Sequence, residues 1–323
     1  MKHISLPTNE TQHLSFYLAM EEYVARYMTD VDEAFFMWQV RPSVIFGRNQ
    51  LIENEVNIKF CKENNIEMYR RKSGGGCVYA DMNNVMFSYI TSANAVGFTF
   101  YKYINAIVLM LNKLGVKAHG NMRNDILIDD KKVSGNAFYH ISGRCIVHGT
   151  MLYDTNMRNM VASITPSKQK LISKGIESVR QRIALLKDYI KINLDDFKSF
   201  VKSTLCEDEI YLDNDDITKI KLIEKEYLSE QFIYGNNPKY SIIKKQHIDG
   251  VGNIEARIIL KNNVIKNVVL MGDFFIVGDL NELIEKIVNV ELKFDALYEV
   301  LPDNLNNYIL NLNKIDFVDI LIN

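Results

Sequence analysis

Arg70-Arg71-Lys72-Ser73-Gly74-Gly75-Gly76-Cys77-Val78-Tyr79-Ala80-Asp81 sets three consecutive glycines between a basic triplet and a run of small and apolar residues. Three glycines in a row lose backbone entropy on folding, so the fold must gain something from them. One such gain is close approach of backbone N–H groups to a ligand, at φ/ψ values other residues cannot reach. The flanks, Ile66-Glu67-Met68-Tyr69 and Cys77-Val78-Tyr79, both read as extended, which gives strand, glycine turn, strand. The stretch is neither Gly-x-Gly-x-x-Gly nor the phosphate loop ending in Gly-Lys-Ser/Thr, and no strand-to-helix transition follows it. Two readings stand at this point: an anion-binding turn and a structural bend.

Around this stretch lie 323 residues, a length that favours two domains over one. Apolar residues make up 47% and charged residues 24%, so a sizeable core is expected. A net charge of −2 implies no general affinity for nucleic acid or membranes, and any basic patch is local. Cys61, Cys77, Cys145 and Cys206 are far apart and form no Cys-x-x-Cys pair, which argues against a zinc site and a disulfide framework. A reducing cytoplasmic compartment is expected. Met1-Lys2-His3-Ile4-Ser5-Leu6-Pro7 lacks the apolar core of a signal peptide, and no run reaches the length of a membrane span.

The spacing predicts a helix over Thr11–Met28, with Leu14, Tyr17, Leu18, Glu21, Ala25 and Met28 on one face. Glu21 is the odd member of that stripe. We take it as an edge-of-core carboxylate that reaches solvent; the alternative is a partner of a buried Arg that braces a site. Strands are expected at 35–40 and 43–47 around Arg41-Pro42, a helix at 54–65 and a strand at 85–90. A helical stripe from Phe100 to Leu111 ends near Gly115. Short strands follow at 125–128, 132–135, 137–139 and 145–153, as in an antiparallel meander. Residues 167–183 are rich in Lys and Arg around Gly175. Helices are expected near 195–204 and 215–229, then a hairpin over 255–271 turning at Asn262-Asn263, then helices at 280–289, 293–300 and 303–313. A boundary near 245–250 separates a mixed domain from a small strand-then-helix domain.

Covalent and metal chemistry have little support. Cys145 and His148 are three apart, which on a strand means opposite faces. Gly-x-Ser-x-Gly and His-Glu-x-x-His are absent. The positive features are cations beside backbone donors. Arg70, Arg71 and Lys72 precede the glycines, Lys132 follows a tight acidic turn, and His148-Gly149-Thr150 sits on a later strand. A cation with backbone N–H donors suits an anion such as phosphate, and a nearby Asp suits magnesium held with phosphate oxygens. Singly, Lys132 reads equally as a solvated turn lysine and Asp125 as a turn or cap residue.

Their order is more specific. Arg-Arg-x-Ser-Gly-Gly-Gly, then Asn124-Asp125-Ile126, then Lys132-Val133-Ser134-Gly135, then His148-Gly149-Thr150 resembles the lipoate–protein ligase family. The likeness covers nearly the whole chain. Residues 16–26 resemble the family's first helix, Gly47-Arg48-Asn49-Gln50 its Gly-Arg-x-Gln turn, and 168–183 its mobile loop. Gly272-Asp273-Phe274-Phe275 and the helices after it resemble its accessory C-terminal domain. The resemblance implies an α/β (α+β type) fold: a mixed-sheet catalytic domain, shared with biotin ligases, over 1–245, and a small α/β accessory domain over 246–323. It implies that lipoate and MgATP give lipoyl-adenylate. The acyl group then passes to a lysine of a lipoyl-carrier domain, on a 2-oxoacid dehydrogenase subunit or the glycine cleavage H protein. A monomer is expected.

By the same resemblance, Arg71, Gly76, Cys77, Val78 and Tyr79 bind ATP, and Gly74 and Gly75 line the lipoyl tunnel. Lys132 is the central lysine that touches acyl carbonyl and phosphate. Asn124 and Asp125 orient phosphate and magnesium, and His148 and Gly149 complete the adenylate site. Lys174, Gly175, Ser178, Val179 and Arg180 belong to the loop that covers the adenylate and excludes water. Some positions depart from the commoner pattern: Cys77 stands for Ala, Ala80-Asp81 for His-Asp, Asn83-Asn84 for Gly-Asn and Val147-His148 for His-His. A thiol at Cys77 could exchange with a dithiolane, although packing as a small hydrophobe is the simpler reading. Three alternatives remain: an amidotransferase with a Cys77 or Cys145 thioester, an inactive carrier-binding module, and a biotin ligase, whose Gly-Arg-Gly-Arg-type loop is absent here.

Overall fold

Val85-Met86-Phe87-Ser88-Tyr89-Ile90 is apolar at nearly every position, as a strand covered on both faces must be. In the computed structural model, which describes all residues except 9, 51, 93–95, 122–123, 165–180, 235–241 and 323, this run lies inside an eight-stranded mixed sheet. The strands of that sheet are β1 (Lys2–Ser5), β2 (Glu33–Trp38), β6 (Val85–Ser92), β7 (Ala118–Gly120), β8 (Asp125–Ile128), β9 (Lys131–Ile141), β10 (Arg144–Met151) and β11 (Asp208–Tyr211), in the order β11-β1-β2-β6-β10-β9-β8-β7. β1 runs parallel to β2 and β11, and the remaining pairs are antiparallel. A second sheet, β4-β3-β5, is built from β3 (Ser43–Phe46), β4 (Glu67–Arg70) and β5 (Val78–Ala80).

Helix α1 (Leu14–Tyr27) covers one face of the large sheet, with Leu18, Met20 and Val24 against Trp38, Ile90 and Ile146. It starts later than the periodicity predicts, because His13 is extended at φ −66° and ψ 155°. The helices Val96–Lys113 and Leu194–Leu205 cover the other face with Tyr103, Ile107, Phe197 and Val201. Asn214–Tyr227 packs outside α1, whose residues Leu14–Ala25 are all buried as a result.

Several expected elements are redrawn. β2 and β3, the strands expected on either side of Arg41-Pro42, enter different sheets. The helix expected at 54–65 is two short ones, Ile52–Glu55 and Ile58–Glu63, because the Asn57 side chain accepts from the Phe60 N–H at 3.1 Å and starts a new helix. β9 is one continuous strand where two short ones were expected.

The C-terminal sheet is β12 (Ile242–Ile248), β13 (Gly252–Lys261) and β14 (Val264–Gly272), all antiparallel. Asn262 and Asn263 turn the β13–β14 hairpin with φ of 54° and 60°, as their sequence predicts. The domain division expected at 245/246 falls inside β12. The helix expected at 303–313 is only a single turn at Leu305–Asn307, and the final helix is Lys314–Ile322 instead. The asparagines there compete for the backbone: Asn306 Oδ1 accepts from the Asn311 N–H at 2.6 Å, and Asn311 is left-handed at φ 63°.

The segment after β14 joins the two parts. Gly272 N–H donates to Asn49 O at 2.8 Å, and Gly75 N–H donates to Phe274 O at 3.3 Å. The Phe275 ring stacks on Phe138 at 5.8 Å and 13°, inside the apolar cluster of the large sheet.

Candidate functional site

β4 and β5 flank β3, so the chain between them must cross the end of the small sheet. The glycine stretch makes that crossing. Gly75 takes φ +84°, and a Cβ on Gly74 would lie 2.4 Å from Phe274 O, so the run is fixed both by backbone angle and by close approach. Arg71 sits beneath it, 5% exposed. Its Nη2 donates to Gly74 O at 2.6 Å and Gly76 O at 2.7 Å, its Nη1 to Ile45 O at 3.1 Å and its Nε to Ser73 Oγ at 2.9 Å. Burial draws this guanidinium down to about 10, still far above the pH range in which it would have to hold the loop.

The run roofs a cavity of about 570 Å³, counted out to its mouth. Leu18, Trp38, Ile45, Val78, Met86 and Ala137 give it apolar walls. Arg71, Gly75, Gly76, Cys77, His148 and Gly149 also line it, and so do Asn124 and Lys132. A second cleft of about 690 Å³ shares Gly76, Asn124 and Lys132 with the first and adds Asp125, Asp273, Phe275 and the Gly250–Gly252 turn. Lys132 therefore stands where an apolar cavity meets a polar cleft.

The β8–β9 hairpin explains how Lys132 gets there. Asp129 and Asp130 turn it at φ 49° and 58°, and an irregularity at Ile126/Leu127 shifts the register ahead of Lys132. Lys132 Nζ pairs with Asp125 Oδ1 at 2.6 Å. A Cβ on Gly135 would lie 2.6 Å from that Nζ, so a larger residue there would push the end of the lysine aside. Lys132 N–H donates to Arg182 O and Ala184 N–H donates to Lys132 O, both at 2.8 Å. The root of the expected covering loop is thus stitched to the lysine's own backbone. Asn124 and Asn136 lock the same corner reciprocally: Asn124 Nδ2 donates to Asn136 O at 2.6 Å, and Asn136 Nδ2 donates to Asn124 O at 2.9 Å.

A scan against family models matches residues 13–206 to the lipoyl protein ligase A/B catalytic domain and residues 237–321 to the bacterial lipoate protein ligase C-terminus. The chain belongs to the lipoate–protein ligase family. It is therefore an enzyme that ligates lipoyl groups to protein. Among curated relatives, lipoate-protein ligase LplJ of Bacillus subtilis is 33% identical over 94% of this chain and 95% of its own. Lipoate–protein ligase 1 of Staphylococcus aureus is 32% identical over 99% and 100%. Among solved structures, P. falciparum LipL1 in complex with lipoate superposes with a TM-score of 0.77 over 100% of this chain and 98% of its own, at 21% identity. An archaeal bi-partite lipoate protein ligase from Thermoplasma acidophilum, studied with its E2 lipoyl domain, gives 0.65 over 75% and 99%, at 25% identity. A lipoate-protein ligase A bound with ATP gives 0.61 over 72% and 98%, at 23% identity.

In this ligase most of the residues expected at the site converge: Lys132, Arg71, Gly75, Gly76, Cys77, Val78, Asn124, His148 and Gly149 on the cavity and Asp125 on the adjoining cleft. Two do not. Gly74 packs against the Phe274 carbonyl, and the Tyr79 side chain is buried with Val44, Phe46 and Cys61 in the core of the small sheet. Lys174, Gly175, Ser178, Val179 and Arg180 lie outside the described residues. Glu21, taken as an edge carboxylate, is 0% exposed and pairs with His148 at 2.9 Å rather than with an Arg. Sequence reasoning missed Trp38 and Asn136 on the cavity wall. Asn136 directly follows Lys132-Val133-Ser134-Gly135, so extending that motif by one residue would have found it.

Neither cysteine suits a thioester. Cys145 is fully buried among Phe87, Phe138 and Val147, on the face of β10 away from the cavity, and burial pushes its thiol up to about 12. Cys77 reaches the cavity, but burial raises its thiol even further. Both remain thiols at neutral pH, which disfavours nucleophilic attack.

Proposed function

We propose that this ligase activates lipoate with MgATP to lipoyl-adenylate and transfers the lipoyl group to a lysine ε-amine of a lipoyl-carrier domain, releasing AMP. The observation that carries this reading is the position of Lys132 at the junction of the apolar cavity and the polar cleft. The apolar cavity takes the dithiolane and its alkyl chain. The cleft, with Asn124, Asp125 and the backbone at Gly76, takes the phosphates. The lipoate carboxylate attacks the α-phosphorus, and pyrophosphate leaves. Lys132 then faces both the acyl oxygen and the phosphoryl oxygens on which negative charge develops, and a fixed cation there lowers the barrier. Arg71 acts by holding the glycine run in shape, since four of its bonds go to that run and its surroundings.

Asp125 fits a magnesium site of the usual kind, one carboxylate supplemented by substrate phosphates, and the ion would neutralise phosphate charge there. Among the described residues no group of three or more His, Cys, Asp or Glu side chains could hold a metal without such help. The covering loop, rooted at Arg182–Ala184 beside Lys132, would keep water from the mixed anhydride.

We place the start of the accessory domain at or before Ile242, where β12 begins. We place the enzyme in the cytoplasm; among the described residues no helix is long and apolar enough to cross a membrane. The test is mass spectrometry of a dehydrogenase lipoyl domain and of an H protein after incubation with lipoate. Lipoylation is expected only with ATP and magnesium. Modification at equal rate without ATP would replace this reading with a transferase.

A further inference from the structure

The buried Glu21 falls in the stretch 16–26 that resembles the family's first helix but in none of the four central motifs, and it does not line the cavity. It stands in the middle of a continuous chain of hydrogen bonds that crosses the cavity wall. Trp38 Nε1 donates to Ser88 Oγ at 2.8 Å, and Ser88 Oγ donates to Glu21 Oε1 at 2.5 Å. His148 Nδ1 lies 3.0 Å from Glu21 Oε1 and 2.9 Å from Oε2, and His148 Nε2 lies 2.7 Å from Ser73 Oγ. Arg71 Nε donates to Ser73 Oγ at 2.9 Å. Glu21, Ser73 and Ser88 are each 0% exposed.

Proton counting orders this chain. Ser88 has one hydroxyl hydrogen and accepts from Trp38, so that hydrogen goes to Glu21. The Glu21 carboxylate only accepts, so the facing His148 nitrogen, Nδ1, carries hydrogen. Nε2 is then an acceptor, and it takes the Ser73 hydroxyl, whose oxygen receives Arg71. Every donor and acceptor in the chain is matched by one arrangement. The bond made by one ring nitrogen sets the state of the other.

We infer that Glu21 is a positioning residue for the acyl cavity, fixing the His148 tautomer and, through Ser88, the Trp38 ring. Trp38, His148 and Arg71 all line the cavity, and Glu21 reaches each of them from behind the wall. An amide at position 21 presents N–H where the chain needs an acceptor. With that N–H toward His148 the chain reverses, and the His148 hydrogen moves to Nε2, where it meets a Ser73 oxygen already serving Arg71; with it toward Ser88 the Ser88 hydroxyl loses its acceptor and the Trp38 branch is broken instead. Lys132 is outside the chain, so its chemistry is affected less than acyl binding. The inference rests on the reading that the apolar cavity takes the acyl substrate.

Glu21→Gln tests it with lipoate-dependent ATP–pyrophosphate exchange and ¹⁵N NMR of His148. The expected results are a KM for lipoate raised at least about tenfold, a KM for ATP within about threefold, and either His148 hydrogen moved from Nδ1 to Nε2 or, with the amide turned the other way, a shifted Trp38 fluorescence. Because Glu21 acts in part through His148, the Glu21→Gln/His148→Asn double variant is expected to lose clearly less than the sum of the two single losses. An unchanged tautomer together with an unshifted Trp38 fluorescence, additive losses, or equal rises in both KM values overturn the inference. If Glu21→Gln does not fold, Ser88→Ala carries the test: it frees Trp38 Nε1, so a shifted Trp38 fluorescence with a raised KM for lipoate is expected, and no change overturns the inference. The tautomer is read in the unliganded protein, so it stands apart from whether lipoate is the substrate.

Discussion

Lys132 owes its place to backbone more than to charge: a bulged register, a glycine three residues along the same strand and two hydrogen bonds with the root of the covering loop. Its side chain is 37% exposed, so Lys132→Ala is expected to leave the thermal midpoint unchanged while cutting adenylate formation about 10²–10³-fold. ATP–pyrophosphate exchange beside a melting curve checks this, and an active, folded variant would overturn the role. A second residue-scale prediction concerns pH. Burial, aided by Lys202, holds His3 at about 4 against an ordinary 6.5. Between those values the unfolded chain binds the proton and the folded chain does not, so stability falls as pH drops from 6.5 to 4, by at most about 1.4 kcal/mol per pH unit. Denaturant unfolding at stepped pH should show that slope, and His3→Gln should flatten it. At this scale the motifs were readable because each is local. Glu21 was misjudged because its partner His148 lies 127 residues away, and no helical periodicity reports that.

Elements were readable where one kind of residue dominates. The Asn262-Asn263 turn and the Val85–Ile90 core strand follow from their residues alone. Asparagine-rich text misled where apolar spacing suggested helix, at Asn57 and across 303–313, because a side-chain amide that bonds backbone ends a helix as easily as it starts one. The same chemistry used constructively appears at Asp213. Its side chain accepts from the Asp215 and Asp216 N–H groups at 2.8 and 2.9 Å, and Asp216 Oδ2 accepts from the Asp213 N–H at 2.9 Å. This capping box starts Asn214–Tyr227, the helix that buries the outer side of α1. Asp213→Ala is expected to cost roughly 0.5–2 kcal/mol in urea unfolding, with ligation rate unchanged. A loss well below that range would mean that the helix start is held by packing alone.

For the whole molecule, the mixed α/β class came from the family resemblance, with which the strand and helix text agrees. The sheet order was not readable: β1 pairs with β11, some two hundred residues onward, and neither is more than four residues long. The domain joint was also hidden: Gly272-Asp273-Phe274-Phe275 stood out only by resemblance, and nothing in it shows that Phe275 packs against Phe138. Phe275 fills the catalytic core beside Phe138, with Val277 and Leu310 packed around it. Phe275→Ala is expected to cost up to about 3–5 kcal/mol, and to split one cooperative thermal transition into two as the domains uncouple. Calorimetry reads this directly; a single, unshifted transition would show the joint to be incidental. The same ring has a consequence for how the protein is made. A ribosome delivers Phe275 only after every catalytic strand has emerged, so the catalytic core waits, one aromatic short, for the last quarter of the chain. Its final packing is a late event of synthesis, and until then the unfilled apolar site beside Phe138 is what a chaperone would meet.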